Sequence, residues 1–140
     1  MEILNIESAT IALELIEVDK KINRGFIEVE AGYILIVHME RELPESTYGP
    51  TKLYSFSLLA SGKRPCPYMR FFLIDHRSYL DEDVNLVTFL PQSALIPGAE
   101  DCEISAEMSE GQIIWYPLAN EVQAAFANEW FPKIHSKIHQ

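Results

Sequence analysis

The sequence predicts an α+β fold, a mainly antiparallel sheet of about seven to nine strands with one C-terminal helix packed on it. Three observations carry this reading. Apolar and polar residues alternate with period two along most of the chain, the pattern of half-buried strands. Glycine and proline interrupt the alternation at short intervals, as turns between strands do. From Asn120 onward the apolar spacing changes to three and four, which is helical. A sandwich with an added helix is the alternative architecture.

Taken in order, Thr10 to Glu17 places Ile11, Leu13 and Leu15 on one side and reads as a strand, with a helix as the alternative because Ala, Leu and Glu favour one. Phe26–Glu30 and Tyr33–Met39 flank Ala31-Gly32 and make the clearest hairpin, with Gly32 suited to positive φ. Glu40 to Thr51 contains Pro44, Gly49 and Pro50 and reads as a long exposed connection. Leu53–Ala60, Tyr68–Ile74 and Asn85–Leu90 are further strands, the last closed by Pro91. Glu103–Met108 alternates Glu103, Ser105 and Glu107 against Ile104, Ala106 and Met108, and Gln112–Tyr116 returns beside it after Glu110-Gly111. Asn120 and Gln123 have capping-box spacing, Val122, Ala125, Phe126 and Trp130 form the apolar stripe, and Pro132 is expected to end the helix or start a new short turn. The aromatic groups Trp115-Tyr116 and Trp130-Phe131 are expected to pin that helix to the sheet.

A chain of 140 residues can build a core without staples, and 1–140 reads as a single domain with 133–140 as a frayed tail. Cys66 and Cys102 are expected to be reduced structural thiols, one disulfide being the alternative. The acidic start and the strand-sized apolar runs point to a cytoplasmic protein without a membrane span.

The net charge is −10. Residues 1–50 carry −6 and residues 81–140 carry −8, whereas 51–80 carry +4 through Lys52, Lys63, Arg64, Arg70 and Arg77. Such a balance disfavours direct nucleic-acid binding, and no phosphate loop or zinc-finger spacing is present. It suits a small protein-binding module, in its most concrete form an inhibitor or immunity-type protein that occludes a basic partner such as a nuclease or toxin. The residues expected to meet that partner are Glu100, Asp101, Glu103, Glu107 and Glu110, with Asp81, Glu82 and Asp83 second.

The rival reading is a small-molecule-binding or enzymatic domain. Its pocket lies near Arg70, His76 and Arg77, because Asp75-His76-Arg77 closes a strand and supplies an anion-binding guanidinium beside a base. No catalytic nucleophile is identified by spacing. A structural subunit of an oligomer is a third reading. His135 and His139 are four residues apart but lack the glutamate of a zinc-peptidase helix, and a third ligand would have to come from elsewhere. The expectation is therefore no metal and no cofactor.

Overall fold

In the computed structural model, which describes residues 1–78 and 83–139, eight strands form two antiparallel sheets and two long helices cover one face of the larger sheet. The elements are α1 (Ile6–Ile22), β1 (Ile27–Glu30), β2 (Tyr33–Glu42), β3 (Thr51–Ala60), β4 (Tyr68–Asp75), a short 3-10 turn (Val84–Leu86), β5 (Val87–Leu95), β6 (Glu103–Ile104), β7 (Ala106–Ser109), β8 (Gln112–Trp115) and α2 (Pro117–Ile138). β1 to β6 pair in chain order as a meander, and β7–β8 is a separate hairpin. This is the α+β architecture expected from the alternation and the final change of period.

The first element corrects the strand reading of Thr10–Glu17. Residues 6–22 are helical, capped at Asn5, whose side chain accepts from the Ser8 amide, and closed by Asn23 in the left-handed region at φ 53°. Ile11 and Leu15 are four apart and both buried, so the helical spacing prevails over the period-two one. The expected hairpin forms as β1–β2, with Gly32 at φ 84°.

The register shifts at three places in the large sheet, first between Glu28 and Glu30 of β1. Met39 faces Tyr54 and Arg41 faces Leu53, leaving Glu40 unpaired opposite β3. Arg70 faces Ser93 and Phe71 faces Pro91, so Gln92 is the extra residue in β5. Pro91 therefore does not end the strand as expected, because the adjacent bulge accommodates its missing N–H.

Ser105 divides what reads as one strand. Its amide donates to the Gln92 carbonyl and its carbonyl accepts from the Tyr116 amide, each at 2.8 Å. Its buried hydroxyl lies 2.9 Å from the Pro91 carbonyl and 2.7 Å from Gln123 Oε1. Residues before it join the large sheet, and those after it start the hairpin.

The expected capping box of α2 is also corrected. The helix starts at Pro117, and Asn120 and Gln123 are buried within it. Asn120 exchanges two hydrogen bonds with the backbone of Glu2, at 2.7 and 2.9 Å, tying down the N-terminal segment. Gln123 donates to the Glu103 carbonyl at 2.8 Å. Nor does Pro132 end α2. A proline there frees the Asn128 carbonyl from its helical partner, and the Ser8 hydroxyl of α1 donates to that carbonyl at 3.3 Å. Residues 133–138 are consequently helical.

The main core lies between the helices and the large sheet. Phe56, Phe71, Phe89 and Phe131 are fully buried there, and Phe56 meets Phe131 edge-to-face at 5.1 Å. A smaller core on the opposite face joins Leu43, Leu53, Phe72, Ile74 and Leu90 to Ala106 and Ile113 of the hairpin. Cys66 and Cys102 form no disulfide. Among the described residues, no helix is long and apolar enough to cross a membrane.

Candidate functional site

The charged notch under α1 joins apolar walls to convergent charge. Its volume is about 220 Å³, and it opens where the C-terminal half of α1 overhangs one end of β3 and β4. Leu13 and Ile16 of α1 and Leu73 of β4 supply apolar walls. Lys20, Lys52 and Arg77 bring positive charge from α1, β3 and the segment after β4. Glu17, Tyr54 and Asp75 complete the lining.

The geometry follows from alternation. Tyr54 and Phe56 point to the helices, so Lys52 does as well. Met69, Phe71 and Leu73 point the same way, and Asp75 continues their row. Asp75 in turn positions Arg77. Its Oδ1 accepts from the Arg77 amide at 2.9 Å and from Nε at 3.0 Å, and its Oδ2 accepts from Nη2 at 2.8 Å. Burial acts to raise the Asp75 carboxyl, but the hydrogen bonds and charge of Arg77, with Lys52 adding, hold it below the ordinary carboxylate value. Tyr54 is held as the neutral phenol, because burial and then the charges of Glu17 and Asp19 raise it. Lys20 stands 3.7 Å from Glu17. Among the described residues, Lys52 has no ion-pair partner.

Of the three residues expected around a pocket, only Arg77 lines it. His76 sits beside Gly49, the neighbour of Pro50 in the notch wall. The His76 amide donates to the Leu86 carbonyl at 2.9 Å, and its ring approaches Gly49 so closely that a β-carbon there would lie 3.0 Å from Cε1. Arg70 shares the row of Phe72 and Ile74 on the opposite face of the sheet. There it pairs with Glu40 at 3.1 Å, and Tyr68 donates to the same carboxylate at 2.7 Å. Lys20 and Glu17 were not legible as site residues, since α1 read as a strand. The signal for Lys52 was the basic island.

The expected acidic row is divided. Glu103 lies on β6 and Glu107 on β7, on either side of Ser105, and both border a shallow surface with Ile104, Tyr116 and Leu118. Tyr116 donates to Glu107 at 2.6 Å, an interaction that raises its phenol above the ordinary value. Glu100 and Asp101 are exposed in the β5–β6 connection, where Arg64 donates to the neighbouring Ala99 carbonyl at 3.3 Å. Glu110 occupies the β7–β8 turn at φ 51°, at the far end of the hairpin from Tyr116. Asp83 caps the 3-10 turn by accepting from the Asn85 amide. Asp81 and Glu82 lie outside the described residues.

One further cluster combines Glu14 of α1 with His135 of α2 and His139, the residue that caps it. Comparison of the chain with protein-family models, with curated proteins and with solved structures gives no match.

Proposed function

We propose that the protein binds a small organic anion in the notch under α1. The observation that carries this reading is the convergence of Lys20, Lys52 and Arg77, against the acids Glu17 and Asp75, on one partly apolar cavity in a chain of net charge −10. A carboxylate or phosphate would sit against the cationic rim, and an apolar portion would enter between Leu13, Ile16 and Leu73. The volume falls below the roughly 300–1,000 Å³ of common drug-sized sites, which suits a small metabolite rather than a nucleotide-sized ligand. Arg77 is already oriented by Asp75, so binding does not have to order it.

The test is a thermal-shift and NMR titration with small apolar carboxylates and phosphate monoesters, each paired with an uncharged analogue. Anions are expected to bind and stabilise the protein, the uncharged analogues not. Lys52→Ala is expected to weaken binding by about tenfold or more, the scale of losing one charge-assisted hydrogen bond. Indifference to ligand charge, or binding unaffected by Lys52→Ala, refutes the reading.

A second reading, docking of a basic protein, is favoured by a specific surface. Leu118 and Val122, one turn apart on α2, are 81% and 54% exposed, and Ile114 is 52% exposed. Leu118 borders a shallow surface with Ile104, Tyr116, Glu103 and Glu107, and Ile114 stands opposite Glu107 in the hairpin. A salt-sensitive, stoichiometric complex lost on joint reversal of Glu103 and Glu107 to lysine, but retained in Lys52→Ala, would select this reading instead.

A further inference from the structure

We infer that Glu14, His135 and His139 form a binding site for a zinc-type divalent metal ion, tying α1 to the end of α2. The sequence expectation was no metal, because a third ligand was not in view. Helix pairing supplies it. His135 and His139 lie one turn apart on the same side of α2, and Glu14 of α1 comes between their reactive atoms. His135 Nε2 is 3.3 Å from Glu14 Oε2, and His139 Nε2 is 3.5 Å from Oε1. The two imidazole rings are 4.4 Å apart between centroids, tilted by 55°.

The two histidines reach different oxygens of one carboxylate, and one donor atom from each of the three residues lies within 4.8 Å of the others, a spread that small side-chain rotations close to the spacing of a shared ion. Zinc bonds of about 2.0–2.1 Å in tetrahedral geometry set neighbouring donor atoms about 3.3–3.4 Å apart. The surroundings also favour a cation. His135 lies in the last turn of α2 and His139 caps it, where the helix dipole is negative. Lys137, between the two histidines in sequence, turns away to Glu30, its Nζ 3.2 Å from Oε1.

Two imidazoles and one carboxylate suit Zn²⁺, with Co²⁺ and Ni²⁺ as analogues. Ca²⁺ and Mg²⁺ prefer all-oxygen shells. The three side chains are roughly half exposed, so a fourth coordination position faces solvent. The assignment is independent of the notch, and its test involves no organic ligand.

The experiment is calorimetric titration of the untagged, chelator-treated chain with Zn²⁺, and with Co²⁺ followed by visible absorption. One Zn²⁺ per chain is expected, with an intense tetrahedral-type Co²⁺ spectrum that Zn²⁺ displaces. Glu14→Gln, His135→Ala and His139→Ala should each weaken binding by at least the roughly 10–100-fold typical of losing even an outer-sphere partner. Their metal-free unfolding midpoints should stay near the parent value, while His38→Ala and His76→Ala should bind as the parent does. Absence of stoichiometric binding overturns the assignment. So does binding that survives the three substitutions or follows His38 or His76.

Discussion

The two faces of the large sheet are built from the same strands yet closed in different ways. On one, α1 and α2 lie over Phe56, Phe71 and Phe89 and add Phe131 to them. On the other, the four-residue strands of one hairpin cover Leu53, Phe72, Ile74 and Leu90. Long helices bury more apolar surface, and where α1 overhangs the sheet they leave a charged notch. The short hairpin leaves part of its face to the polar group Glu40, Tyr68 and Arg70, and shows an apolar exterior to solvent. The cover, more than the strands, decides what kind of site each face can carry.

The sharpest test of this contrast lies in two adjacent residues of β4. Phe71 and Phe72 are 1% and 2% exposed and point to opposite faces. Phe71→Ala should cost about 3–5 kcal/mol in denaturant unfolding, because its ring is locked among three other phenylalanines. Phe72→Ala should cost less, about 3 kcal/mol at the low end of that range, as the hairpin can settle into the space. Equal losses would show that both covers are equally rigid.

A smaller effect tests the hairpin alone. Gly111 has φ 81°, and a β-carbon there would collide with the Glu45 carbonyl oxygen. Its own carbonyl accepts from the Thr47 amide and hydroxyl at 2.8 and 3.0 Å. Gly111→Ala should cost about 1–3 kcal/mol or more through strain and lost docking. Hydrogen exchange should show lost protection in β7–β8 while the amides of β3–β4 stay protected. Uniform loss across the sheet would make the hairpin an integral part of the main core.

The smallest effects are electrostatic and of opposite sign. Asp75 titrates below its ordinary value of 3.8, so its contribution to stability is complete at neutral pH and is lost as the pH falls through its folded-state value. Asp75→Asn should therefore destabilise at neutral pH by about 1 kcal/mol after solvent screening, with the difference vanishing in strong acid. Asp19 titrates above 3.8, chiefly through burial, with His38 opposing, and its Oδ1 is buried without a hydrogen-bond partner among the described residues. Its folded-state preference is for the protonated form, so stability is present in acid and lost as the pH rises through the raised value. Asp19→Asn should stabilise at neutral pH by less than about 1 kcal/mol, and the gain should disappear below the ordinary carboxylate range. Unfolding curves across this pH span check both signs.

Much of the sheet was legible because alternation is a local signal. β1, β2, β3 and β4 are near their expected positions, and Gly32 makes the expected turn. α1 was left between strand and helix because Ile11, Leu13 and Leu15 satisfy period two, whereas Ile11, Leu15 and Ile16 satisfy the helix, and burial against the sheet selects the helical alternative. Pro91 and Pro132 were read as stops because the compensations, a bulge at Gln92 and the Ser8 hydroxyl, come from elsewhere in the chain.

The sites divide along the same line. Sequence alone determined the α+β class, the charge island that holds Lys52 and Arg77, and the one-turn spacing of His135 and His139, because each depends on composition or on residues close in the chain. Only the tertiary structure decided that Arg70 leaves the island for the opposite face, that Lys20 joins Lys52 and Arg77, and that Glu14 meets the two histidines. Those meetings require α1 to lie across the sheet and against α2, and that placement is set by the burial of apolar side chains far apart in sequence.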